Sequence, residues 1–284
     1  MDRRSIFTLT LLLFAITLLA TAGCIATSNT TQPAEQEARQ LPVVSFNETP
    51  IQYADVNGVT LAYREFGSGD PLLMIEGFGA TMGGWNETFI SILASNYHVY
   101  TYDHRGMGQS GAYTTTPSIH QFSDDAAALM TELGYDSMHV YGVSMGSTTS
   151  QQLTIDHPEK VRKLILDSST YSIRIPETKT LLGLIESTAV DPTVPEGERQ
   201  EAEANLAWNG SFDSLSGIEK DVMLIVGTAD ILTPEAVSVR IAGEIDGSWL
   251  LRFKGIPHAG YHYAPVEYGE SVLFFLGMDK SPAI

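Results

Sequence analysis

Read by polarity alone, the chain falls into three stretches. Residues 6–20 are apolar apart from Thr8, Thr10 and Thr17; Arg3 and Arg4 precede them, and Thr21, Ala22 and Gly23 follow. A positive start, an apolar centre and a small-residue exit predict a secretory signal over residues 1–24. Residues 25–49 are rich in Thr, Ser, Gln, Pro and Glu and carry no apolar period, which predicts a flexible linker. From residue 50 to 284, short apolar blocks alternate with amphipathic ones, the pattern of one folded domain.

Within that domain the blocks predict eight strands. Residues 53–66 form a hairpin around Asn57-Gly58, a pair that turns tightly. Residues 72–75 are a fully apolar third strand, and 98–102, 138–143, 161–166, 223–226 and 249–253 complete the set. Helices fall at 86–95, at 118–133 with Phe122, Ala126, Leu129 and Leu133 on one face, and at 145–157, stopped by Pro158. Two more follow Pro234 and Pro265. Short buried strands alternating with helices predict the α/β class: a mainly parallel eight-stranded sheet with helices on both faces. In such sheets reactive groups gather beyond the carboxyl ends of the strands, so the residues after each strand carry the chemistry.

Composition narrows the partners. The 284 residues are 43% hydrophobic and 18% charged, which supports a sizeable core. With 16 Lys and Arg against 34 Asp and Glu, the net charge is −18. Nucleic acid is thereby disfavoured as a partner, since phosphate recognition needs clustered bases, and so is docking by basic residues onto anionic lipid. A single cysteine, Cys24, excludes an internal disulfide or a Cys-rich zinc site. The histidines show no ligand spacing, so no metal is expected.

The fifth predicted strand runs into Gly142-Val143-Ser144-Met145-Gly146, a G-x-S-x-G sequence between strand and helix. A serine on such a strained turn stands clear of its neighbours, and glycines two residues away leave room for the bend. Ser144 is therefore the candidate nucleophile, and the Met145 N–H at the start of the helix is a candidate oxyanion donor. Serine needs a base to take its proton. His258, first after the last strand, is the candidate, with His262 as the nearby rival. The base in turn needs an orienting carboxylate. Asp230 follows the seventh strand and fits the chain order Ser, Asp, His; Asp167, after the sixth, is the alternative.

These residues, with Glu76-Gly77-Phe78-Gly79 and the run from Asp103 to Ser110, resemble the α/β-hydrolase superfamily, in its compact esterase-like and haloperoxidase-like branch. The resemblance covers residues 50–284. It implies a second oxyanion donor in the Phe78 N–H, and a short lid inserted between strands 6 and 7 at about 168–217. It also favours His258 over His262, because Pro265 falls seven residues past His258, as is common in the family. The chain departs from the family where relatives carry His-Gly and this sequence has Glu76-Gly77. A carboxylate there opposes a developing oxyanion unless it pairs with Arg105, is held protonated or is bound to local backbone. Asp103 and Arg105 are expected to brace their loop. Residues 191–221 hold eight acids, Glu201 among them, against two bases, and read as a solvated face. Phe78, Trp85, Tyr171, Trp208, Tyr261 and Tyr263 are candidate walls of an acyl pocket.

The resemblance implies a serine hydrolase of ester-type bonds in a small acyl substrate, working without cofactor. Its alternatives are cofactor-free haloperoxidase or perhydrolase chemistry by the same triad, and a non-catalytic binding protein on the same fold. Cys24 stands where the lipobox of prokaryotic lipoproteins places its lipidated cysteine, although Thr21 replaces the usual Leu. The expected location is therefore outside the cytoplasmic membrane, held by a lipid at Cys24 or by the apolar segment itself, or secreted. Asn29, Asn47, Asn86 and Asn209 begin glycosylation sequons.

Overall fold

The structure is a computed structural model that describes residues 41–113 and 118–278. The expected signal segment, Cys24, most of the linker and Asn29 lie outside the described residues.

Strands β1 (Gln52–Val56) and β2 (Val59–Gly67) form the expected hairpin, with Val56 opposite Val59. Asn57 and Gly58 between them have φ of 46° and 75°, the doubly left-handed turn that matches the twist of a hairpin. Next come β3 (Asp70–Ile75), α1 (Glu87–Ala94), β4 (Tyr97–Tyr102), α2 (Ile119–Glu132), β5 (Met138–Val143), α3 (Met145–Asp156) and β6 (Val161–Asp167). An insertion with α4 (Lys179–Val190) and α5 (Glu196–Ala207) precedes β7 (Asp221–Gly227), α6 (Glu235–Glu244), β8 (Trp249–Phe253) and α7 (Pro265–Leu276). Asn86 and Ser118 end the expected helical stretches as N-caps, accepting from Phe89 N and Gln121 N, and so satisfy amides the first turn cannot pair.

The eight strands lie in the order β1-β2-β4-β3-β5-β6-β7-β8. Pairing is antiparallel from β1 to β2 and from β2 to β4, and parallel elsewhere. Side chains alternate across this sheet. Leu73 and Ile75 of β3 join Val140, Leu164 and Leu224 under α2, α3 and α6. Leu72 and Met74 join Tyr141, Ile165 and Ile225 on the opposite face under α1 and α7. Both faces are apolar because both are covered, which is why the inner strands read as unbroken hydrophobic runs.

One boundary differs from the expectation. Residues 41–49, assigned to the linker, pack against the domain: Val44 and Phe46 are buried, Phe46 stacks edge-on against Phe66, and its N–H donates to Glu87 Oε1 at 3.0 Å. Of the four large apolar residues there, Val44 and Phe46 are buried and Leu41 and Val43 exposed, a spacing too short to set a period in the sequence. Among the described residues, no helix is long and apolar enough to cross a membrane.

Candidate active site

The carboxyl ends of β3, β5, β6, β7 and β8 bring the singled-out residues to one rim. Ser144 sits between β5 and α3 with φ 54° and ψ −119°, a left-handed conformation that costs a non-glycine residue about 1–3 kcal/mol and marks a functional turn. Room for that turn comes from Gly146: a Cβ there would lie 1.9 Å from the Ile75 carbonyl oxygen. The Ser144 N–H donates to Asp167 O at 3.0 Å, which ties the turn to the end of β6.

His258 lies in the loop after β8, and its Nδ1 is 2.7 Å from Asp230 Oδ2. Asp230 Oδ1 accepts the N–H groups of Leu232 and Thr233, and the Thr233 hydroxyl lies 2.9 Å from Oδ2. Burial works against charge on Asp230, but the hydrogen bonds from His258 and Thr233 outweigh it and hold the carboxyl below its usual range. Of the two rival residues, Asp167 is fully buried, accepts the Tyr141 hydroxyl at 2.7 Å, and is pushed up to about 6 by burial. His262 stacks beside Tyr261 and makes no pair with Asp230.

Ser168, with φ 48°, fastens the two loops together. Its hydroxyl accepts the N–H of Ala259, next to His258, at 3.1 Å, and its carbonyl oxygen lies 2.8 Å from the Thr233 hydroxyl. Thr233 lies 3.3 Å from His258 Nδ1 and shares with Ser144 the walls of a narrow cleft. Phe78, Met145, Ile173, Leu181 and Ile185 also line it. The Phe78 and Met145 N–H groups donate to no acceptor among the described residues. Of the six aromatic residues expected as walls, Phe78 alone borders the cleft. Trp85 and Tyr261 pack together on Tyr141 and Phe89, Trp208 packs with Ile119 and Phe122, Tyr171 stacks on Phe212, and Tyr263 is exposed. Aliphatic side chains of the insertion do the work instead, and in sequence those of α4 have the ordinary appearance of a helix face.

Asp103 and Arg105 brace their loop as expected. Asp103 accepts the N–H groups of Met82 and Gln109, and Arg105 forms a buried two-pronged pair with Asp125 at 2.5 and 2.6 Å. Glu76 makes no ion pair with Arg105. It is buried, accepts the Gly77 N–H at 3.0 Å through Oε2, and leaves Oε1 without a partner. Burial pushes its carboxyl up to about 8, against the Gly77 N–H and the nearby Tyr261 hydroxyl, so it is mostly neutral at pH 7. Glu201 is the exception to the solvated face: Glu196, Glu203, Asp213 and Glu219 are exposed, but Glu201 is fully buried, accepts the Gly79 N–H at 2.8 Å, and is likewise pushed up to about 8. A signal for this existed. Glu201 is in phase with Ala204, Asn205 and Trp208, the buried stripe of α5.

Comparison with known proteins agrees with the fold. Residues 70–190 match the family model described as alpha/beta hydrolase fold. The enol-lactonase of Burkholderia xenovorans LB400 superposes with a TM-score of 0.69 over 80% of this chain and all of its own, at 22% identity. The chain has the α/β-hydrolase fold. Its curated relatives include the dihydrolipoyllysine-residue acetyltransferase component of an acetoin cleaving system from Cupriavidus necator, 35% identical over 118 residues, 41% of this chain and 31% of that protein. Another is a fluoroacetate dehalogenase from a Burkholderia species, 33% identical over 119 residues, 40% of this chain and 39% of that one. The match thus spans less than half the length of either. Relatives with names of such different chemistry mean that the fold by itself does not fix a reaction.

Proposed function

We propose that the chain is a serine hydrolase that cleaves an ester-type bond of a small acyl substrate. Ser144 Oγ attacks the acyl carbonyl while His258 Nε2 takes its proton. Asp230 holds Nδ1–H, fixes the tautomer and balances the imidazolium. The Phe78 and Met145 N–H groups receive the oxyanion, where preorganised donors gain most from a site poor in water. Collapse of the tetrahedral species expels the alcohol, protonated by His258. Water, activated by the same base, then frees the acid from Ser144. The α4–α5 insertion acts as the lid, and its Leu181 and Ile185 pack the acyl group.

One observation carries the reading: the ion-pair geometry of His258 on Asp230, fastened through Ser168 and Thr233 to the strained turn of Ser144, beside two free N–H groups. Turnover of p-nitrophenyl acetate tests it. Ser144→Ala and His258→Ala should each lower kcat by about 10³-fold or more; equal rates in wild type and Ser144→Ala sink it. The N-terminal pattern adds export and a lipid at Cys24 to the proposal, and Cys24→Ala should then move the protein from the membrane to the soluble fraction.

A further inference from the structure

The loop after β3 carries four successive N–H groups, and three of them are engaged. Gly77 donates to Glu76 Oε2 at 3.0 Å, Gly79 to Glu201 Oε2 at 2.8 Å, and Ala80 to Gly77 O at 3.2 Å. Of the four, the Phe78 N–H, between the first two, has no partner among the described residues. The two carboxyl groups that capture its neighbours come from different parts of the molecule: Glu76 from the end of β3, Glu201 from the insertion. Both are buried, and each keeps one oxygen, Oε1, with no hydrogen-bond partner among the described residues. Buried polar atoms are nearly always paired, and an orphaned carboxyl oxygen costs stability that a structure retains only where something offsets it.

We infer that Glu76 and Glu201 are positioning residues of the oxyanion hole: their carboxyl groups pin the N–H groups on both sides of Phe78 and leave that one as the loop's free donor. The inference rests on the proposed role of Ser144. The loop passes directly beside that residue, since a Cβ on Gly77 would lie 3.1 Å from Ser144 Cβ. It also makes the insertion part of the catalytic assembly. α5 meets the loop after β4 so closely that a Cβ on Gly197 would lie 2.0 Å from Gly106 O, and from this seat Glu201 reaches across to Gly79. Seating of the insertion and assembly of the oxyanion hole are therefore one event.

Charge is the reason both carboxyls serve in the neutral form. An anion beside the developing oxyanion would raise the barrier that the Phe78 N–H lowers. Burial favours the neutral forms most, and the acids facing them add to it, Asp103 and Asp167 around Glu76 and Glu198, Glu76 and Asp103 around Glu201. The Gly77 and Gly79 N–H groups and the Tyr261 hydroxyl act the other way without prevailing, and Tyr102 and Tyr113 lie beside Glu201. His104, close to the Glu76 backbone, is held neutral by burial, and Arg105 is engaged with Asp125. Ionisation at alkaline pH therefore places negative charge on either side of the donor.

The test is p-nitrophenyl acetate hydrolysis by the full chain between pH 6 and 10, with Glu201→Ala, Glu201→Gln, Glu76→Ala and Glu76→Gln. At pH 7 each Ala variant should lose at least about tenfold in kcat with KM changed by less than about threefold, because the lost interaction acts on the transition state. Each Gln variant, whose amide oxygen still accepts the N–H, should recover most of that loss. The wild type should lose activity above about pH 8, and the Glu76→Gln, Glu201→Gln double variant should keep it. Amide hydrogen exchange at Gly79 provides the check that needs no turnover: it should speed in Glu201→Ala with the remaining core protected. Active wild type with Ala variants at wild-type kcat, or an alkaline limb unchanged in the double variant, overturns the inference and leaves the hydrolase reading intact. Wild type without Ser144-dependent turnover overturns that reading and, with it, the positioning role.

Discussion

Asp230 after β7 and Glu76 after β3 lie on the same rim of the sheet and are buried almost equally, at 5% and 3% exposed. They nevertheless take opposite charge states at neutral pH. Around Asp230 the chain supplies two backbone N–H groups, the Thr233 hydroxyl and the His258 ring, and the carboxylate is stabilised. Around Glu76 it supplies the Gly77 N–H and the Tyr261 hydroxyl among further acids, and the carboxyl keeps its proton. Burial sets the cost of charge, and the number of donors decides whether it is met. The β7–β8 side of the rim is thus built to hold an anion that steadies a cation, and the β3 side to keep anions away from the place where one develops.

The largest expected effect comes from removing the charge on one side only. Asp230→Asn keeps the shape but favours the wrong His258 tautomer, and kcat on p-nitrophenyl acetate should fall by about 10³–10⁴-fold. The same acid-to-amide change at Glu76 should stay within about threefold at pH 7, where the native side chain is already neutral. Equal losses at the two positions would erase the contrast. Stability gives the next effect. Glu76 and Glu201 hold protons in the folded chain up to about pH 8, whereas free glutamates release them near 4.5. Between those limits the folded state binds more protons than the unfolded, so each group lowers stability by roughly 1.4 kcal/mol per pH unit as pH rises. Asp230 has the opposite sense: its contribution is present above the ordinary aspartate range and is lost as pH falls through its depressed value. Buried His104 and His139, held down to about 4 by burial, oppose this trend below the ordinary histidine range, so thermal unfolding should show Tm falling between about pH 6.5 and 8, and falling less steeply in the Glu76→Gln, Glu201→Gln double variant. The smallest effect is expected from Thr233→Val, which removes one donor from Asp230 but leaves the Thr233 N–H. A loss of about three- to tenfold in kcat would rank that hydroxyl below the His258 contact.

The contrast also explains what could be read in the sequence. Strand and helix positions were legible because both faces of the sheet are covered, and the rim positions of Ser144, Asp230 and His258 because Ser144 directly follows β5 and the other two lie in the short loops after β7 and β8. Glu76 could be flagged as a departure, but its state could not, since that depends on which donors fold around it. Glu201 was hidden for a related reason. Its neighbours Glu196, Glu198 and Glu203 make an acidic helix that reads as solvated, and only contact with Gly79, 122 positions away, gives one of those acids a buried seat. The cleft walls from α4 were equally opaque, because an aliphatic stripe looks the same whether it faces a core or a substrate.

The serine at the β5–α3 turn carries the whole account. The direct measurement is the intact mass and peptide map of the wild-type protein after exposure to a fluorophosphonate. The account predicts a single covalent adduct on Ser144, formed at a rate that falls sharply in His258→Ala. A folded protein that takes up no label, or takes it up elsewhere, would contradict it.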